Sequence, residues 1–311
     1  MARIGVFMNL KTSEGPGGDR ESGRRRALLE RELAGGGHAF KFVFGEGKYR
    51  DYPGIAQSLV SQSDYLVASC WPSMYALSQY AGTKPIVFAG LTDHPSDPGY
   101  PDYQSNIIGI KSFSPSDLCA NWPVLLKQIA DVTRWAVIYD QDTAHPCMGE
   151  QNRQIGLETA RPINAVSTVA SDISDFAGPD GKAGLIVTAG TRTALLRNTI
   201  IQAVSDANSS TAKLFAIYPN SMYVDAGGLM SYGPNLLNLY WQAAALLATI
   251  IGPPPVDPND IGSIVNSTFE LFINQKAASA LGITNIRRRF NLVGGGTVKP
   301  TIVSVSPPPP S

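Results

Sequence analysis

Residues Leu214–Gly233 read LFAIYPNSMYVDAGGLMSYG. Two short apolar runs, Leu214–Ile217 and Leu229–Tyr232, flank a polar loop that ends in Gly227-Gly228. Runs of this length bounded by Pro and Gly suit buried parallel strands. The loop between them emerges at the strand ends, where an open α/β sheet presents its ligand crevice.

Outward from this stretch, strands and helices alternate, the pattern of a doubly wound α/β protein. Toward the N-terminus, Ile4–Met8, Phe40–Phe44, Tyr65–Ala68 and Pro85–Ala89 read as strands, with helices over Ser22–Leu33, Pro53–Ser61 and Pro72–Tyr80. Gly35-Gly36-Gly37 stops the first helix. A second series starts near Pro115. A helix through Ala130 leads to a strand over Trp135–Tyr139, a helix over Met148–Ala160, a strand over Gly184–Val187 and a helix over Arg192–Ala207. Two series of similar size predict two Rossmann-like lobes, each with its own parallel sheet. After Gly233, a helix over Leu236–Ile251 carries Leu236, Tyr240, Ala243, Leu247 and Ile250 at helical spacing, a stripe wide enough to pack on a sheet. Phe269, Leu271 and Ile273 then alternate as in a strand, and the composition turns Gly- and Pro-rich beyond Arg287.

Length and composition narrow the function. At 311 residues the chain is long enough for two lobes, and 43% apolar residues support a sizeable core. Lys+Arg and Asp+Glu are equal at 25 each, so no net field draws nucleic acid or an anionic membrane. The 3 cysteines, Cys70, Cys119 and Cys147, argue against a disulfide scaffold and leave at least one free thiol. Met1-Ala2-Arg3 runs straight into IGVFM, without the apolar core and cleavage site of a signal peptide. The expectation is therefore either a mature form with a new start, periplasmic by family, or a cytoplasmic protein starting at Met1.

Enzyme motifs find little support. Ser231 is mis-spaced for a nucleophile elbow, Gly47-Lys48 and Gly181-Lys182 lack the residue after the lysine that a phosphate loop needs, and Arg20 breaks a dinucleotide pattern after Gly15. His145 and Cys147 have no second ligand pair, and His94 beside Asp93 and Asp97 reads as a polar loop before it reads as an acid–base site. The expectation is a protein without catalysis, cofactor or metal.

The loops at the strand ends remain. Asn9 follows the first strand. Ser69-Cys70-Trp71-Pro72-Ser73 opens a helix, whose unpaired N–H groups, with the hydroxyls of Ser69 and Ser73, suit a ligand carboxylate. The same serines also serve as plain helix caps, and the two roles coexist. Asp93 follows the fourth strand, and Thr188 begins a second small-residue loop that opens a helix. Tyr218 and Asp225 flank the loop quoted first; Asp225 either holds a ligand ammonium or caps the turn before Gly227.

AIYPNSMYVDAGGLMSYGP, an amphipathic helix and FELFINQKAASALGIT resemble the C-terminal half of ABC-transporter solute-binding proteins of the tryptophan/tyrosine type. Over residues 3–284 the order and spacing of RIGVFMN, SCWPSMYALS, PIVFAGLTD, NIIGIKSF, GLIVTAGT, AGGLMSYG and FELFIN follow that family. The resemblance implies a type I periplasmic-binding fold with lobes over 1–112 plus 234–290 and over 113–233, a multi-strand hinge, and a Gly/Pro-rich tail over 291–311. It implies chain crossings near Lys111–Pro115, Gly233–Asn235 and Ser263–Thr268. It also implies a small organic solute, often an amino acid, held in a cleft by Asn9, Ser69, Ser73, Asp93, Thr188, Tyr218 and Asp225, and an ABC permease as partner. Trp71 stands where the family has smaller residues; it either stacks on an aromatic ligand or fills the cleft.

Two functions follow as alternatives: a receptor for an ABC importer, or a cytoplasmic relative acting as sensor or self-assembling subunit. The second draws on the tail, where Thr301–Val305 alternates between prolines as an edge strand would. That segment is expected to be mobile, or else to add a strand to a second copy and make a homo-oligomer.

Overall fold

The computed structural model describes residues 1–11, 20–91, 106–111, 118–139, 159–162, 166–177, 181–208, 212–262, 264–266, 268–293 and 295–306. The chain forms two compact units, Met1–Ser114 with Leu236–Ser267, and Pro115–Asn235 with Thr268–Ser311.

In chain order the first unit contributes β1 (Arg3–Met8), α1 (Arg20–Glu32), β2 (Ala39–Phe44), α2 (Tyr52–Ser61), β3 (Tyr65–Ala68), α3 (Trp71–Ala81), β4 (Ile86–Leu91) and β5 (Ile107–Lys111). The second follows with α4 (Asn121–Ile129), β6 (Arg134–Tyr139), β7 (Thr159–Pro162), α5 (Val166–Ala177) and β8 (Gly181–Val187). It continues through α6 (Thr191–Leu195), α7 (Arg197–Asp206), β9 (Ala212–Tyr218), α8 (Ser221–Asp225) and β10 (Met230–Pro234). The chain returns to the first unit as α9 (Leu236–Ile251) and β11 (Ile264–Val265). It ends in the second with β12 (Phe269–Asn274), α10 (Gln275–Ala280), β13 (Phe290–Asn291), β14 (Thr297–Val298) and β15 (Thr301–Val303).

The first sheet runs β11-β5-β4-β3-β1-β2 and is parallel throughout. It is apolar on both faces, as a covered parallel sheet must be. Ile4, Val6 and Met8 of β1 pack with Leu29 of α1 and with Leu239, Ala243 and Leu247 of α9. Phe7, on the opposite face, packs with Ala56 and Leu59 of α2 and Leu77 of α3. The helix over Leu236–Ile251 has the ends its stripe predicted.

The second sheet runs β15-β12-β10-β9-β8-β6-β7. Its first five strands in sequence take the order β7-β6-β8-β9-β10, which repeats β2-β1-β3-β4-β5 of the first unit. The expected α/β class and its parallel sheets are present, with two additions. β12 pairs antiparallel to β10, Met230 opposite Ile273 and Pro234 opposite Phe269. β15 then lies parallel to β12, Ile273 beside Ile302.

These pairings correct the lobe boundaries. Residues 268–290, assigned from the sequence to the first lobe, belong to the second unit because β12 joins its sheet. The tail is corrected as well. Asn274 is fully buried and clamps the final segment, donating from Nδ2 to the Val305 carbonyl (2.8 Å) and accepting the Val305 N–H on Oδ1 (3.1 Å). The small β13–β14 ribbon is tied to α4, where Gln128 bonds both the N–H (2.9 Å) and the carbonyl (2.8 Å) of Asn291. Segment 297–306 is thus part of its own chain's fold, and the strand proposed for a second copy pairs within the molecule.

Three helix expectations also change. Thr159–Ala160, read as a helix end, lie in strand β7; residues 148–158 lie outside the described residues. Helix α5 was not expected, although it buries Val169, Ile173, Phe176 and Ala177 at helical spacing. The helix expected over Arg192–Ala207 is two, parted at Leu196.

Candidate functional site

In a sheet of order 2-1-3-4-5, the connections leave in opposite directions on either side of the first strand. The crevice this opens lies at the carboxyl ends of strands 1 and 3. In the first unit these ends are Asn9, after β1, and Ser69, after β3. They are joined directly: the Asn9 N–H donates to Ser69 Oγ (2.8 Å), and the Ser69 hydroxyl donates to Asn9 Oδ1 (3.3 Å). The Ser69 N–H continues the strand ladder to the Phe7 carbonyl (3.1 Å). Next to them α3 begins, with Cys70 extended at the N-cap position (φ −159°, ψ 166°). Ser73 Oγ accepts the Cys70 N–H (3.2 Å) and donates to the Cys70 carbonyl (2.9 Å). Trp71 is half-buried, its ring 6.0 Å from that of exposed Tyr75.

The second unit repeats this arrangement at β6 and β8. The Thr188 N–H extends the ladder to the Ile138 carbonyl (3.0 Å), as Ser69 does to Phe7. Gly190 is extended at the N-cap position of α6 (φ −171°, ψ 159°). Thr193, at the third helical position like Ser73, donates to the Gly190 carbonyl (2.9 Å) and the Thr188 carbonyl (3.0 Å). A third junction follows β9, where Asn220 is extended (φ −162°, ψ 170°) before α8 and its buried Oδ1 has no hydrogen-bond partner.

The sequence-derived residues therefore sort unevenly. Asn9, Ser69, Trp71 and Ser73 come together at one strand end, and Thr188 takes the matching position in the second unit. Tyr218 is fully buried, its ring stacked on Tyr223 at 5.0 Å and 13°, and burial pushes its phenol pKa up; it is a core residue with no exposed face. Asp225 is exposed on the last residue of α8. The turn that was one of its two candidate roles is closed by backbone bonds from Gly227 to Val224 (2.9 Å) and from Gly228 to Tyr223 (2.9 Å). Asp93 lies outside the described residues, as do His94 and His145.

Sequence reading missed three groups. Asn220 stands inside the stretch that decided the fold, directly after the strand-ending Tyr218-Pro219, and that position was its signal. Arg25 and Tyr240 lie behind Ser69. Arg25, 5% exposed, comes from α1 and lies 5.5 Å from the ring centroid of Tyr240, 2% exposed, on α9. The Tyr240 hydroxyl neighbours Ser69, Cys70 and Arg25; burial pushes its pKa up, so it stays a donor. No local pattern marks these two, since each sits on a stripe that reads as core. Among the described residues no group of His, Cys, Asp and Glu is placed to hold a metal, and no helix is long and apolar enough to cross a membrane.

Two doubly wound sheets of this order, built from a chain that alternates between the units, define the type I periplasmic-binding-protein fold. Solved structures with that fold include a conserved domain protein from Vibrio cholerae O1 biovar El Tor (TM-score 0.75, 21% identity, 91% of this chain and 95% of that one). An ABC domain from Streptococcus pneumoniae in complex with L-Trp is as similar (TM-score 0.75, 19% identity, 91% and 95%). A branched-chain amino acid transporter substrate-binding protein from the same organism, in complex with isoleucine, gives a TM-score of 0.65 at 11% identity, over 96% and 99%. No family model and no curated protein matches the chain.

Proposed function

We propose that this protein is a solute-binding protein that takes a small organic solute, an amino acid with an aromatic or branched side chain, and delivers it to an ABC importer. The observation that carries the reading is the repeated strand-end junction. Ser69 with Ser73, and Thr188 with Thr193, set a hydroxyl-supported helix start at the switch point of each sheet. Polar groups converging at such a point orient a zwitterion, and the neighbouring Trp71 offers a stacking face. The Trp and isoleucine complexes of the similar structures support the same solute class.

Two further features agree. Cys119 is disulfide-bonded, which suits an oxidising compartment outside the cytoplasm. The tail that motivated the self-assembling alternative pairs within its own sheet, so no observation favours that reading. We propose binding without turnover: the Ser73 and Thr193 hydroxyls donate to backbone carbonyls and the Ser69 hydroxyl to Asn9 Oδ1, which leaves none of the three poised as a nucleophile.

A thermal-shift screen over the amino acids and short peptides tests the proposal. A ligand at a hundred times its Kd should add about 2.7 kcal/mol of stability. A flat response across the whole panel would sink it.

A further inference from the structure

We propose that the β13–β14 ribbon of the second unit is a basic docking edge for an anionic lipid surface, with Val293 at its tip entering the headgroup layer. The proposal stands apart from the solute reading, since it uses none of the strand-end residues.

The overall balance of charge conceals a separation along the chain. No Asp or Glu follows Glu270, while Lys276, Arg287, Arg288, Arg289 and Lys299 all do. These cations are exposed and belong to the second unit. Among the described residues the ion pairs lie in the first unit, and none involves any of them. Their hydrogen bonds go to neutral oxygens instead. Arg287 Nη2 donates to Gln275 Oε1 (3.5 Å), Arg288 Nη2 to the Gln128 carbonyl, Arg289 Nη1 to Thr297 Oγ1 (3.4 Å) and Lys276 Nζ to Ser306 Oγ (3.1 Å). Such bonds hold the cations in place and leave their charge uncompensated. The ribbon's register concentrates it. Phe290 pairs with Val298 and Asn291 with Thr297, so one step outward Arg289 stands across from Lys299. Like charges directly opposite destabilise a ribbon unless an anion lies over both. Between the strands the turn carries Val293, 48% exposed, its N–H held by Asn121 Oδ1 (2.7 Å). An acidic protein would answer the charge alone. A large exposed apolar side chain at the tip of a basic ribbon fits a headgroup layer, where the cations meet phosphates and the valine meets the acyl boundary.

The test sediments the full chain with vesicles of phosphatidylcholine alone, and with vesicles of phosphatidylcholine and phosphatidylglycerol in equal shares. The protein should pellet with the anionic vesicles only, and rising salt should release it. A basic residue near an anionic surface is worth about fivefold in affinity, so Arg289→Gln with Lys299→Gln should weaken binding about thirtyfold. Lys41→Gln with Arg50→Gln removes the same charge from exposed positions of the first unit and should change nothing. Val293→Ser should weaken binding severalfold and leave its salt dependence unaltered. Equal binding to both kinds of vesicle, binding indifferent to salt, or equal losses from the two double variants would each overturn the proposal. Capture by polyglutamate without binding to the anionic vesicles would overturn it in favour of an acidic protein partner. If the Arg289 and Lys299 double variant melts lower than the wild type, the salt dependence and Val293→Ser decide.

Discussion

Ser73 and Thr193 make the same bond in the two units: from the third position of its helix, each donates its hydroxyl to the N-cap carbonyl at 2.9 Å. The equivalence extends to the ladder bonds of Ser69 and Thr188 and to the first helical bonds, Met74 to Cys70 (3.0 Å) and Ala194 to Gly190 (3.1 Å). Both hydroxyls are fully buried. Ser73→Ala and Thr193→Val should therefore each cost about 1 kcal/mol in urea unfolding. A clear cost in one and none in the other would break the equivalence on which the proposed function stands.

Gly233 is where β10 passes closest to the end of β9. A Cβ built there would lie 1.7 Å from the Pro219 carbonyl oxygen, a backbone atom that cannot step aside. Gly233→Ala should destabilise the second unit by about 2–3 kcal/mol. Gly228→Ala should cost less: the backbone oxygen its Cβ would meet, that of Tyr223, lies 2.9 Å away, beside the Tyr218 ring at 2.6 Å. Unfolding midpoints of the two variants give the comparison; a harmless Gly233→Ala would mean that this strand end is not so tightly joined.

Asn274 joins the last strand to the fold. Besides Val305, its Nδ2 donates to the Gly227 carbonyl (3.2 Å) and its Oδ1 accepts the Lys276 N–H (3.1 Å). Asn274→Ala removes the partner of the buried Gly227 carbonyl and of the partly buried Lys276 and Val305 groups, and should cost about 2 kcal/mol. It should also free the terminal segment, read as fast amide exchange at Val303 and Val305 and as early proteolysis after β14. Unchanged exchange at both valines would show that β12–β15 pairing alone holds the tail.

Asp64 carries the acid dependence of one surface pair. Its carboxylate accepts from Arg3 Nη2 (2.6 Å) and from the Arg3 backbone N–H (2.9 Å), and the Arg3 side-chain bond lowers its pKa from 3.8 to about 2. A lowered carboxylate pKa contributes stability above the unfolded value, and that contribution is lost as pH falls through the folded one. The effect of Asp64→Asn should thus be present above pH 3.8 and fade toward pH 2. Because both side chains are exposed, it should be small and weaken with salt. An NMR titration that puts the Asp64 midpoint near 3.8 would contradict the pairing.

What sequence by itself determined is what depends on neighbours along the chain. Apolar runs closed by Pro and Gly marked β9 and β10, helical spacing marked α9, and the small hydroxyl residues after a strand located Ser69, Ser73 and Thr188. All of these follow from period and from helix-start chemistry, which a few consecutive residues encode. Tertiary structure decided what depends on distant partners. β12 reads as a strand in any case, but only its pairing with β10 places residues 268–290 in the second unit. The alternation of Thr301–Val305 could equally have served a second copy, and Asn274 settles it within the chain. Tyr218 belongs to a strand with both faces covered, so its position could not say whether the ring met solute or core. Arg25 and Tyr240 meet because α1 and α9 pack on the same face of β1, and no spacing in the sequence encodes that encounter.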